Sequence, residues 1–95
     1  MTNADIASVF RDIAARLTAR KDNIFKIRAY DKAAKTIDGW NGSVEQLALE
    51  SRLREMPGVG EAIEKKITEL VRTGRLEFYE RLKKDIESTP KVKGD

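Results

Sequence analysis

The chain has 95 residues and a mass of 10.8 kDa, which limits it to one small domain. Apolar residues make up 40% and charged residues 37%, a balance that is typical of a helix-rich globular domain. The sequence contains neither Cys nor His, which excludes disulfides, the usual zinc sites and imidazole or thiolate catalysis. No apolar run approaches the roughly 20 residues of a membrane span and no signal-peptide pattern opens the chain. We therefore expect an intracellular protein with no membrane partner, cytoplasmic or nucleoid-associated if it is bacterial.

The basic residues are distributed unevenly along the chain. Nineteen basic residues against sixteen acidic ones give a net charge of +3, which is too close to neutral to indicate nucleic acid by itself. Residues 11 to 35, however, include eight basic and three acidic residues, which gives this segment a net charge of +5. Such a segment attracts polyanions, although an ordinary solvated helix surface has the same pattern.

Hydrophobic spacing predicts an all-α fold, a compact bundle of four to five short helices without strand-like alternation. The first helix is expected over Thr2–Leu17, where Thr2 and Asp5 match a capping box. The second is expected over Ile24–Asp38, capped by Asp22 or Asn23 and closed by Gly39. The others are expected over Val44–Ala48, or through to Glu55 with a break near Ser51, then Glu61–Thr73 closed by Gly74, and Arg75–Ile86. These helices form one domain, 1–87, and residues 88–95 are a tail or linker.

The turn Met56-Pro57-Gly58-Val59-Gly60 is the most informative segment. Its two glycines flank one apolar residue, so the backbone can turn sharply and present successive N–H groups at the start of the next helix. Because the helix dipole also favours an anion, these groups can bind a backbone phosphate without any base contact. Gly58, Val59 and Gly60 are therefore candidate DNA-binding residues, and the alternative is a plain interhelical turn. Glu61, at the helix start, would repel a phosphate.

Further motifs stand in order around this turn: Asn23-Ile24-Phe25-Lys26-Ile27-Arg28-Ala29-Tyr30 before it, then Ile63-Glu64-Lys65-Lys66-Ile67 and Thr73-Gly74-Arg75-Leu76. The turn resembles the helix-hairpin-helix DNA-binding motif. The ordered set, over about residues 6–84, resembles the N-terminal lyase-type domain of the family X (DNA polymerase beta-like) DNA polymerases. This resemblance implies a helical domain that holds the 5′-phosphate side of gapped or nicked DNA during repair.

The same resemblance implies roles for individual residues. It places the Schiff-base lysine of a 5′-deoxyribose phosphate lyase at Lys66, and a lysine and a tyrosine of the 5′-phosphate pocket at Lys26 and Tyr30. No cofactor is required, but the resemblance implies a monovalent cation, Na⁺ or K⁺, bound by the backbone carbonyls of Arg54, Met56 and Val59.

The helical angles around the predicted fourth helix place Lys66 at the border of its apolar face and Lys65 toward solvent. A lysine beside apolar surface and other cations loses its proton more easily, as an amine nucleophile requires. A lysine whose stem only covers the edge of the core would lie in the same place. Other basic positions of the family's pocket hold Ala62, Phe78 and Phe25 here, which makes the pocket less basic.

We therefore predict sequence-independent DNA binding at gapped, nicked or single-stranded sites with a 5′-phosphate. The hairpin, Lys26 and Tyr30 would be joined there by Arg28, Lys32 and Lys65. One alternative is a 5′-deoxyribose phosphate or abasic-site lyase that uses Lys66, and another is a helical protein-interaction module without DNA binding. The chain has no Asp-x-Asp pattern for two metal ions and is not a polymerase by itself, so a polymerase domain in the same or another chain is an expected partner.

Overall fold

The computed structural model describes residues 1–84, and the regular structure in that part is entirely helical, which confirms the predicted all-α class. Five helices and one 3-10 turn follow in order: α1 (Asn3–Ala19), α2 (Ile24–Asp38), α3 (Val44–Leu49), the turn Leu53–Glu55, α4 (Glu61–Thr73) and α5 (77–84). The end of the predicted fifth helix and the predicted tail, 88–95, lie outside the described residues. No helix within residues 1–84 has both the length and the apolar character needed to cross a membrane.

Capping side chains determine where the first two helices begin. Thr2 Oγ1 accepts a hydrogen bond from the Asp5 N–H, and Asp5 Oδ2 accepts one from the Thr2 N–H, both at 3.0 Å. This is the predicted capping box, and it makes Thr2 the cap rather than the first helical residue. At α2 the cap is Asn23, not Asp22, because Asn23 Oδ1 accepts from the Phe25 N–H at 2.7 Å.

The shorter predicted form of α3 and the predicted break near Ser51 are confirmed, whereas the predicted start of the fifth helix is wrong. Ser51 has a φ of 58°, in the left-handed region, so α3 does not continue to Glu55 and the chain re-forms only a 3-10 turn. The fifth helix begins at residue 77 rather than at Arg75. Glu69 on α4 accepts the Glu77 N–H at 2.9 Å and so caps α5.

The core is one apolar cluster, and an aromatic stack that ends at the half-buried Phe78 connects three of its helices. The Tyr30 ring of α2 lies between the Phe10 ring of α1 and the Phe78 ring of α5, with ring centroids 6.1 Å and 5.9 Å away. Fully buried Ala33 and Ala34 let α2 pack closely against its neighbours. No charged or polar residue is buried within residues 1–84, so every ionic group in this part is available at or near the surface.

Candidate nucleic-acid interface

The predicted hairpin connects the 3-10 turn to α4 and is anchored from inside. Leu53, Met56 and Val59 are buried in the core, and the Met56 carbonyl accepts the Val59 N–H at 3.3 Å. Between these anchors, Gly58 has a φ of 80°, a conformation that strains any residue with a side chain. The turn is therefore held by the core on one side, while Gly58 and Gly60 are exposed on the other.

The N-terminus of α4 differs from those of α1, α2 and α3. Each of those helices begins at a Thr, Asn or Ser whose side chain accepts an N–H of the first turn. Helix α4 begins at Gly60 without a side-chain cap, and its intrahelical bonds start with the Glu64 N–H on the Gly60 carbonyl at 2.9 Å. The earlier N–H groups of α4 can therefore donate to an external acceptor, and the helix dipole favours an anionic one.

Lys32 of α2 lies directly over this turn. A Cβ built on Gly58 would come within 3.0 Å of Lys32 Cε and 3.3 Å of Lys32 Cδ, so the lysine stem packs on the glycine backbone. Lys32 is otherwise exposed. The structure thus brings a lysine of the basic second helix into contact with the hairpin. We call Lys32 together with Gly58, Val59 and Gly60 the hairpin site.

Two acidic residues on α4 border the hairpin site, and both form ion pairs. Glu61 Oε2 lies 3.3 Å from Lys65 Nζ in a largely exposed pair, and Glu64 Oε1 lies 3.6 Å from Arg54 Nε. Exposed pairs of this kind contribute little to stability. They do mean that Lys65, predicted to contact DNA, is already paired with a carboxylate that a phosphate would have to displace.

Lys66 lies at the edge of the aromatic stack, half-buried, while Lys65 points to solvent, as the helical angles predict. Lys66 Nζ is 4.9 Å from the centroid of the Phe78 ring and 6.0 Å from that of the Tyr30 ring, within the range of a cation–π contact. Phe78, which occupies the position of a pocket lysine in the resemblance, therefore provides a ring face to Lys66 instead of a charge.

Tyr30, predicted as a pocket residue, is mainly a core residue. Only 7% of it is exposed, and its ring is stacked on both sides. Burial raises the pKa of Tyr30 above its usual 10.0, and the Asp22 carboxylate raises it further. Its hydroxyl is thus neutral at physiological pH, and packing of the Tyr30 ring fixes the position of α2.

Lys26 and Arg28 lie on the exposed surface of the first turns of α2. The Lys26 N–H donates to Asn23 Oδ1 at 3.4 Å, so its backbone belongs to the capped end of the helix. Phe25, between Asn23 and Lys26, is 74% exposed and was not predicted as a site residue. The sequence did offer a sign of its position: seven residues at 100° each place Phe25 and Lys32 about 20° apart, on the same side of α2.

The family model of the helix-hairpin-helix domain matches residues 1–76, four fifths of the chain, and so includes both partners of the Lys32–Gly58 contact. No curated protein matches the sequence. A helix-hairpin-helix domain indicates nucleic-acid binding in general, in agreement with the uncapped, lysine-covered turn. The chain belongs to the helix-hairpin-helix domain family.

Proposed function

We propose that this domain binds DNA through backbone phosphates, independently of base sequence, and that the hairpin site makes the contact. One observation carries the proposal: the Lys32 stem lies on Gly58, next to the uncapped N-terminus of α4. Backbone N–H donors, a helix dipole and an ammonium group therefore converge on one place. Such groups contact phosphate oxygens rather than base edges, which makes the binding sequence-independent.

We further propose that the preferred DNA is gapped, nicked or single-stranded with a 5′-phosphate, as in DNA repair. The support is the ordered set of motifs that resembles family X DNA polymerases, together with the 6.0 Å separation of Lys66 Nζ and the Tyr30 ring. In this proposal a polymerase domain, in the same or another chain, supplies the synthesis that this domain lacks.

A monovalent cation at the hairpin is also part of the proposal. The carbonyls of Arg54, Met56 and Val59 would hold Na⁺ or K⁺, which would neutralise charge beside a bound phosphate. The Met56 carbonyl accepts the Val59 N–H at 3.3 Å, and because a carbonyl oxygen has two lone pairs it can still bind a cation. The donor chemistry therefore fits a hard cation.

The test compares Lys32→Gln with Lys35→Gln, two variants of one helix with the same change in charge. The Lys35 side chain is 76% exposed and its Nζ lies 3.3 Å from Asp31 Oδ2, and Lys35 is not among the atoms that a Cβ on Gly58 would meet. We expect Lys32→Gln to weaken binding of all DNA sequences and to lower the slope of log affinity against log salt by about 1. We expect Lys35→Gln to change both quantities less. Fluorescence anisotropy across a salt series measures them.

Equal effects of the two substitutions would contradict the assignment of the contact to the hairpin site. If the folded wild-type protein binds no DNA at low salt, the DNA-binding proposal is wrong and the protein-interaction module is the better interpretation.

A second candidate function is a 5′-deoxyribose phosphate lyase with Lys66 as its nucleophile. The observation that favours it is the half-buried position of Lys66 against two aromatic rings, whereas Lys65 is solvated. In this reaction Lys66 Nζ, as the free amine, attacks the C1′ aldehyde of the opened sugar and water leaves, which gives an imine. Loss of a C2′ proton to water then breaks the C3′–O bond, the DNA phosphate at the 3′ position of the sugar leaves, and hydrolysis of the imine frees Lys66.

Borohydride trapping with a 5′-labelled, pre-incised abasic duplex tests the lyase. We expect a covalent adduct with the wild type and with Lys65→Ala, and none with Lys66→Ala. Absence of an adduct in the wild type, with the same duplex still bound in a gel shift, would exclude the lyase and leave the phosphate-binding function intact.

A further inference from the structure

A shallow groove of about 370 Å³ runs between α1 and α2 and is lined by an arginine from each helix, Arg11 and Arg28. We call it the α1–α2 groove. Its apolar lining includes the buried Ala14 and the half-buried Ile27. The Thr18 hydroxyl, which also lines the groove, already donates to the Ala14 carbonyl at 2.8 Å. The two guanidinium groups therefore determine which polar ligand the groove can take.

Both guanidinium groups are accessible to an external anion. Arg28 is exposed and forms no ion pair with another residue of the part that the structure describes. Arg11 donates from Nη2 to Asp38 Oδ2 at 3.2 Å, and both side chains of this pair are 53% exposed. Because a guanidinium has five N–H donors and an exposed pair is weak, most of the Arg11 donors remain usable.

One carboxylate, that of Asp31, also lines the groove. Asp31 Oδ2 lies 3.3 Å from Lys35 Nζ, so a lysine on the next turn of α2 compensates its charge. The two arginines therefore give the groove a positive charge, which favours an anionic ligand. The planar donor fork of a guanidinium matches the oxygen geometry of a phosphate.

The groove lies next to the hairpin site on the outer surface of α2. Arg28 is one helical turn before Lys32, which places the two about 40° apart around the helix and about 6 Å apart along it. Asp31 lies about 100° from Lys32 in the same direction around the helix. Since a DNA strand carries a phosphate about every 3.4 Å along its axis, one DNA molecule can contact both places.

We propose that the α1–α2 groove is a second phosphate-binding site, in which Arg11 and Arg28 hold a backbone phosphate of the DNA that the hairpin site contacts. This inference rests on the proposed function. An acidic protein segment would also satisfy two arginines, but DNA is favoured because Arg28 makes the groove continuous with the hairpin site. Two contacts along α2 fix the direction in which the DNA crosses this helix.

The test compares Arg11→Gln and Arg28→Gln with Arg75→Gln, which removes the same charge elsewhere. Arg75 is exposed and, like Arg28, has no ion pair within residues 1–84. It follows the far end of α4, a helix about 20 Å long that begins at the hairpin. We expect each groove variant to weaken binding of a short duplex by about tenfold and to lower the slope of log affinity against log salt by about 1. Arg75→Gln should change both quantities less, as measured by fluorescence anisotropy.

Two further comparisons test whether both arginines act on one phosphate inside the groove. The double variant should lose less than the product of the two single losses, because its residues share a ligand. Ala15→Leu fills the groove at an exposed position without a change in charge and should weaken binding as well. Its control is Ala4→Leu, an exposed position about 16 Å away along α1, which should bind like the wild type.

A single strand of the same sequence identifies which strand supplies the phosphate. If the strand held at the hairpin supplies it, Arg28→Gln weakens the single strand and the duplex alike. If the complementary strand supplies it, the weakening is confined to the duplex. Either result supports a phosphate in the groove.

The remaining outcomes separate this inference from the proposed function. Groove variants no weaker than Arg75→Gln, losses that multiply fully in the double variant, or full binding by Ala15→Leu would overturn the inference and favour an acidic protein segment in the groove. If Lys32→Gln still weakens binding in that case, only the groove assignment is wrong. If the wild type binds no DNA at low salt, the proposed function fails and the second site fails with it.

Discussion

Gly58 and Gly74 are the glycines of residues 1–84 that adopt positive φ, 80° and 78°, and they do so for different reasons. At Gly58 the left-handed conformation strains a side chain, and a Cβ would also displace the Lys32 stem that packs on the backbone. At Gly74 a Cβ would meet no atom within 4 Å, so only the left-handed conformation that ends α4 requires glycine.

Gly74→Ala is therefore expected to lower the free energy of unfolding by about 1 kcal/mol, the cost of a side chain in the left-handed region. The matched control is Gly39→Ala at the end of α2, where φ is −92° and a Cβ would make an ordinary 3.5 Å contact. Its stability should stay the same or rise by about 0.5 kcal/mol. Urea unfolding measures both, and equal losses would contradict this account.

Helix α5 is attached to α1 by a polar contact outside the aromatic stack. The Tyr79 hydroxyl donates to Asp12 Oδ2, which also accepts from Arg16 Nε at 3.0 Å. Burial by itself raises the pKa of Asp12, but these hydrogen bonds outweigh it and hold the pKa below 3.8. Burial, and then the hydrogen bond to Asp12, raise the pKa of Tyr79 to about 12.

Because the pKa of Tyr79 is raised in the folded state, its contribution to stability is complete below pH 10 and is lost as the pH rises toward 12. Tyr79→Phe should cost about 1 kcal/mol at neutral pH, and its free energy of unfolding should fall less steeply than that of the wild type between pH 10 and 12. Denaturant unfolding at several pH values measures this. Parallel curves for the two proteins would show that ionisation of Tyr79 does not cause the loss of stability between pH 10 and 12.

At the scale of the whole molecule, the core and the candidate interface depend on the same helix. The Tyr30 ring fixes α2 between α1 and α5, and the outer side of that helix carries Lys32 onto the hairpin. The net charge of +3 is small, so an attraction for DNA has to come from where the lysines lie rather than from their number.

The sequence by itself determined the helices with strong local signals. The bounds of α2 and α4, including the end of α4 at Gly74, were predicted because hydrophobic period, caps and glycine act within a few residues. It also predicts a phosphate site at the hairpin, since that chemistry would reside in consecutive backbone groups. The break near Ser51 was predicted as well. The start of α5 was not, because its cap comes from Glu69 on the preceding helix and leaves no local pattern.

Only the tertiary structure decided which side chains meet. Lys32 and Gly58 are far apart in the sequence, and their contact depends on how α2 packs on the core. The same packing made Tyr30 a core residue, placed Lys66 over the Phe78 ring and left Phe25 in solvent. Helical periodicity states which residues share a face, but the neighbour of that face is set by long-range burial, which no short segment of sequence encodes.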